Sequence, residues 1–200
     1  MIDEAINTVN MKTLANVAAG YPLRGSAESL ESGEVRLIQM RNITSTLQVD
    51  WGTVARVSLP TKRTPQWLER GDVIFAARGA RNYAVCFDEL PQKAVCSPHF
   101  FVIRILDKET VLPSFLAWQI NQRPAQDYFE RSATGSHIPN VRRQVLEDLK
   151  VTIPPLERQK TIAALWDSLR KEERMTLALI RNRQQQMEAV AADLLQGRMR

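Results

Sequence analysis

The feature that most constrains this chain is the stretch between Pro155 and Gly197, which contains neither proline nor glycine. Those two residues disfavour a helix interior by about 3 and about 1 kcal/mol, so their absence over such a run predicts one continuous helix, about twice the usual length. Pro155 fits the first turn, where its missing N–H costs nothing, Glu157 complements the positive end of the helix dipole, and Gly197 supplies the stop. At heptad spacing Ile162, Leu169, Thr176, Arg183 and Val190 fall on one line, and Trp166, Glu173, Ile180, Met187 and Leu194 fall on a second, four residues on. Seven of these ten are apolar. At 1.5 Å per residue the helix spans about 60 Å, longer than a domain of this size, so its far half requires a second helix to cover the seam.

What precedes the helix, 1–154, is enough chain for one hydrophobic core, given that 44% of the sequence is hydrophobic. A short helix is expected over 13–19, stopped at Gly20, then strands over 35–40, 53–59, 73–77, 84–87 and 100–106, separated by Gly, Pro and charged residues. Pro113 starts a helix that puts Phe115, Leu116 and Ile120 on one face, and a second begins near Pro124 and ends before Gly135. The N-terminal MIDEAINTVN does not read as a signal peptide, and no run of eighteen apolar residues occurs, so a cytoplasmic location without membrane attachment is expected. Cys86 and Cys96 then read as reduced core thiols. The net charge of +5 is compatible with nucleic acid but too modest to argue for it alone.

No catalytic constellation is present. There is no P-loop, no GxGxxG and no methyltransferase-type Asn-Pro-Pro-aromatic motif, since Pro154-Pro155 is flanked by Ile153 and Leu156. With only His99 and His137 and no clustered acids or cysteines, a metal site is not expected, and His99 reads as structural. The chain reads as a binding protein, not an enzyme.

The run TGSHIPNVRRQVLEDLKVTIPPLERQKTIAALWDSL, ending at residue 169, resembles the end of a target-recognition domain and the start of the spacer helix in specificity subunits of Type I restriction-modification enzymes. MKTLANVAAGYPLRG, VRLIQMRNI and GDVIFAARG resemble weaker signposts upstream in the same domain. Such subunits usually carry two recognition domains and two spacer helices, whereas this sequence holds one of each and so resembles a half-subunit. The resemblance implies an α+β fold, a twisted and mainly antiparallel sheet with small helices over 1–154, and a helix over 155–200 that pairs antiparallel with a second chain. It further implies double-stranded DNA, an adenine methyltransferase subunit and a restriction or translocase subunit as partners, with S-adenosylmethionine held in the methyltransferase and no cofactor here. Ile162, Trp166, Leu169, Thr176, Ile180, Met187, Val190 and Leu194 would line the interface of a homodimer.

DNA reading needs cations near phosphate and side chains whose donors and acceptors match base edges. Arg78, Arg81, Asn82 and Tyr83 lie in one acid-free loop; Ser136, His137, Asn140, Arg142 and Arg143 lie in another. Lys62 and Arg63 are placed to contact phosphate, and Gln39, Arg41 and Asn42 form a weaker group. Each has a plainer reading: an Arg-Gly-Ala-Arg loop is commonly a solvated hairpin tip, and a hairpin tyrosine commonly covers the adjacent core. Trp51, Trp67 and Trp118 read as packing residues. Two alternatives stay open: a decoy that binds methyltransferase subunits without selective DNA affinity, and a coiled-coil oligomer with an unrelated head.

Overall fold

Four successive residues of one strand, Val73–Ala76 (β5), are fully buried, and the architecture is organised around that fact. Side chains alternate across a strand, so a strand buried throughout must have packed material on both faces. The computed structural model describes residues 7–22, 33–59, 64–132 and 140–196. In it β5 is flanked by β8 (Phe100–Ile105) and β6 (Ala84–Cys86), and β2 (Ala15–Ala19) completes a four-stranded sheet in the order β2-β8-β5-β6. Val73, Phe75, Ile103 and Ile105 face a core closed by helices α2 (Pro113–Ile120) and α3 (Arg123–Ser132), where Phe75 meets Phe129 at 4.8 Å between ring centroids. Ile74, Ala76, Phe100 and Val102 face a second core on the opposite side.

That second core is covered by a three-stranded sheet in the order β4-β3-β7, built from β3 (Val35–Ile38), β4 (Ala55–Val57) and β7 (Ala94–Cys96). Its β3-β7 pairing is parallel, and every other ladder among the described residues is antiparallel. The two sheets meet at Gly20, whose N–H donates to the Phe100 carbonyl (2.9 Å), while Tyr21 N–H donates to Cys96 (2.7 Å). A Cβ at Gly20 would stand 2.0 Å from the Ser97 carbonyl oxygen, so only glycine allows this approach. A third, two-stranded sheet joins β1 (Asn7–Asn10) to β9 (Lys150–Ile153), and thereby ties the start of the described chain to the segment just before the long helix.

The fold is α+β with mainly antiparallel sheets and a long C-terminal helix, and its details correct the expectations in three places. The residues 13–19 are not a helix: α1 (Met11–Leu14) is a single turn, and β2 follows because Ala15 and Val17 are buried against β8. Strand 35–40 stops at Ile38, where Met40–Asn42 turns into a 3-10 helix closed by reciprocal Gln39 and Asn42 bonds. Strands β1, β7 and β9 are additional. The helix over 155–200 is α5 (Leu156–Leu195), and the first compact unit runs through Ala163 before the second begins at Ala164. The reason is Gln159, which is 1% exposed. Its amide accepts from Leu112 N–H (2.9 Å) and donates to the carbonyls of Thr110 (2.9 Å) and Pro154 (2.8 Å), binding the first turns of α5 into the domain. Further along, Ile162 and Trp166 are half-buried, whereas Leu169, Thr176, Ile180, Met187, Val190 and Leu194 are exposed. Among the described residues no helix is long and apolar enough to cross a membrane.

At the entry to β5, Asp72 carries the only buried charge among the described residues. Arg104 of β8 donates to both its oxygens, at 2.8 and 2.7 Å, and to the Trp67 carbonyl (2.8 Å), and pairs with Glu69 (2.8 Å). This partnership raises the Arg104 pKa, chiefly through the Asp72 hydrogen bonds. Arg104→Ala strands a carboxylate that is 2% exposed. The expected loss is about 3 kcal/mol, the low end of the range for breaking a buried pair because water already reaches the guanidinium. Urea titration should show a lower midpoint at unchanged slope, and a loss below about 1 kcal/mol contradicts this account.

Candidate nucleic-acid interface

Beyond Ala76 the chain leaves β5 through Ala77, which has backbone partners on two sides. Its N–H donates to the His99 carbonyl (2.9 Å), and its own carbonyl accepts from Val141 N–H (2.9 Å). Arg78 then forms a bridge with Asn140. The two acid-free segments that lie far apart in sequence, 78–83 and 140–143, are thus held edge to edge. A third segment borders them: Gly79 adopts φ +124°, and a Cβ there would stand 2.5 Å from the terminal methyl of Met40. Arg41, next to that methionine, is exposed.

The far base of the 78–83 loop is equally fixed. Ala76 N–H donates to the Tyr83 carbonyl (2.8 Å), and the Asn82 amide donates to the Ala76 carbonyl (2.8 Å). Asn121, at the end of α2, treats Ala84 as a strand neighbour, accepting from its N–H (2.9 Å) and donating to its carbonyl (2.8 Å). With both ends tied, the loop presents its arginines from a rigid base, which lowers the ordering cost of binding.

Arg78, Arg81 and Arg142 are exposed, and among the described residues none has a carboxylate within ion-pair distance. Arg143 differs, because Glu147 one turn on in α4 (Arg143–Glu147) binds it at 2.7 Å. Asn82 spends an amide donor on its own loop, and Tyr83 is half-buried with its ring edge-on to Phe100 at 6.4 Å. Of the weaker group, Asn42 is 1% exposed and bonds Gln39 N–H and the Thr53 carbonyl, so it builds the turn. Lys62, Arg63, Ser136 and His137 lie outside the described residues. Among those described, no group of three or more His, Cys, Asp or Glu could hold a metal ion.

The sequence alone does not place two further residues beside this loop: Arg41, already named in the weaker group, and His99, read as structural. Arg41 borders the loop only because Met40 fills the space beside Gly79, and exposed His99 adjoins it only through the Ala77 bond.

Burial, opposed by the nearby Arg81 charge, pushes the Tyr83 phenol up to about 12. An unfolded tyrosine ionises near pH 10. Between those values the folded state keeps a proton that the unfolded chain releases, so this residue's contribution to stability is complete below pH 10 and lost as pH rises toward 12. A spectrophotometric titration comparing the chain with Tyr83→Phe should assign the late-ionising phenol to Tyr83, and a normal value near 10 would place the ring in water.

Residues 4–189 match the family model described as Type I restriction modification DNA specificity domain. Fifteen solved chains are similar in structure. The Type-I restriction-modification system S subunit from M. genitalium superposes with TM-score 0.65 at 15% identity, over 97% of this chain and 46% of that one. The HsdS subunit from Thermoanaerobacter tengcongensis gives 0.58 at 14% identity, over 86% and 39%. A chain from a structure describing complex assembly and conformational transition of the type I R-M system gives 0.59 at 15% identity, over 99% and 45%. The chain therefore spans less than half the length of the solved chains it matches. No curated protein matches it.

Proposed function

The chain belongs to the Type I restriction modification DNA specificity domain family, and from that membership we propose that it reads a DNA sequence for a separate adenine methyltransferase subunit. One observation carries the assignment of the surface: the backbone bonds of Ala77 and Arg78 to Val141 and Asn140 join two acid-free arginine segments. In this reading Arg78, Arg81 and Arg142 offer the planar, paired donors that suit phosphate and guanine edges. Asn140 and Arg143 flank them, Lys62 and Arg63 add phosphate contacts, and Ser136 and His137 extend the second segment. Asn82 and Tyr83 shape the loop more than they touch DNA, because an amide donor of one and the ring of the other are engaged internally.

The chain contributes recognition and no chemistry. Methyl transfer belongs to the partner, which would hold S-adenosylmethionine, and a restriction or translocase subunit would join the same assembly. We further propose that the exposed seam of α5 pairs two copies. A two-fold axis then presents the same reading surface twice, so the recognised site is two inverted copies of one short half-site with unspecified bases between them.

With the methyltransferase present, Arg81→Ala should cost about 1–3 kcal/mol on the target and little on random DNA, while Lys62→Ala should weaken both and flatten the salt dependence. Equal losses on both DNAs remove Arg81 from base reading. Methylome sequencing of cells expressing the chain with its methyltransferase should reveal an interrupted palindrome. A contiguous motif contradicts the two-copy reading, and methyltransferase binding without selective DNA affinity indicates a decoy.

A further inference from the structure

In the single chain the seam of α5 is bare: Leu169 is 54% exposed, Met187 67% and Leu194 64%. Its two charged members, Glu173 and Arg183, are exposed as well. Two ion pairs form within one turn of this helix, Lys160 with Glu157 and Arg170 with Asp167, both outside the ten seam positions. Among the described residues Glu173 and Arg183 have no such ion pair, and Arg183 reaches only the side-chain amide of Gln186, at 3.0 Å.

We infer that Glu173 and Arg183 are a charge code that sets how two copies of α5 pair: antiparallel, centred on Ala178, with Glu173 of each copy against Arg183 of the other. This rests on the two-copy reading above, takes the antiparallel direction that the family resemblance implies, and adds the register and the charges that fix it. The two residues occupy different lines of the seam. In a parallel pair each line faces itself, so Glu173 meets Glu173 and Arg183 meets Arg183, and no shift by whole heptads brings the two opposite one another. In an antiparallel pair the lines face each other. The register centred on Ala178 stacks Leu169 on Met187, Glu173 on Arg183 and Thr176 on Ile180, and the outer layers are apolar on apolar. A slip of one heptad in one direction sets Arg183 against Trp166 and Glu173 against Thr176. In the other it sets Glu173 against Val190 and Arg183 against Ile180. Either slip desolvates charges without partners, which is the most costly way to bury them. A polar pair in an apolar seam is the usual means by which a helix pair selects one register at some cost in stability.

The test uses the full chain and variants at these exposed positions, with helicity checked by circular dichroism. Glu173→Arg and Arg183→Glu should each weaken self-association by about tenfold or more in sedimentation, because each sets like charges face to face twice. The doubly swapped chain should return to within about threefold of the original, since the facing charges are again opposite. In a Cys86→Ser background, Leu169→Cys with Met187→Cys should form a covalent dimer on oxidation, and neither cysteine alone should. A double swap as weak as the single changes, or cross-linking by Leu169→Cys alone, overturns the register while leaving two-copy pairing intact. A chain that stays monomeric at about 100 µM overturns both.

Discussion

The register between β5 and β8 is the constraint on which the rest depends. Asp72 and Arg104 fix it at one end, because a buried carboxylate needs a countercharge and only the Arg104 guanidinium is placed to meet both its oxygens, with Glu69 N–H as a further donor (2.8 Å). From there Val73 stands opposite Ile103 and Ala76 opposite Phe100. A slip of one residue would turn Val73 and Phe75 out of one core and Ile74 and Ala76 out of the other. The same register delivers Ala77 to His99 and to Val141. The juxtaposition of the two arginine segments is therefore a consequence of core packing at the opposite end of the strand.

Side-chain amides then finish what the ladders leave open. Asn121 completes the edge of β6 at Ala84, Gln119 does the same for β9 at Thr152, and Gln159 closes Leu112, Thr110 and Pro154 around the start of α5. Each satisfies backbone groups that would otherwise need water. They also make α2 and the first turns of α5, through Ala163, part of the unit that carries the loops, so the long helix begins from buried structure.

Strong periodicities were legible in the sequence and long-range pairings were not. The uninterrupted 40-residue helix, the helix starts at Pro113 and near Pro124, and the buried strand VIFA follow from proline chemistry and apolar pattern. The stretch 13–19 failed because Thr13, Leu14 and Val17 match a helical face as well as a strand, and pairing with β8 decides between them. Strand β7 was missed because its three residues, Ala-Val-Cys, are too short for a pattern, and β9 because Val151 and Ile153 sit in a stretch dominated by the helix start that follows. Both acid-free arginine segments were visible as composition. That they are neighbours was not, since it rests on two backbone hydrogen bonds between distant residues.

Segments 78–83 and 140–143 are proposed to form one DNA-reading surface. Its most direct test is site-specific photocross-linking of the chain, bound with its methyltransferase to target DNA, from probes at Ala80, at Gln144 and at Asp88. All three positions are exposed, and Asp88 lies beyond the other end of β6 from Tyr83. Ala80 and Gln144 should label the same half-site within a few base pairs of each other, and Asp88 should label nothing. Labelling from Asp88 alone, or from Ala80 and Gln144 at unrelated places on the DNA, would contradict the shared surface.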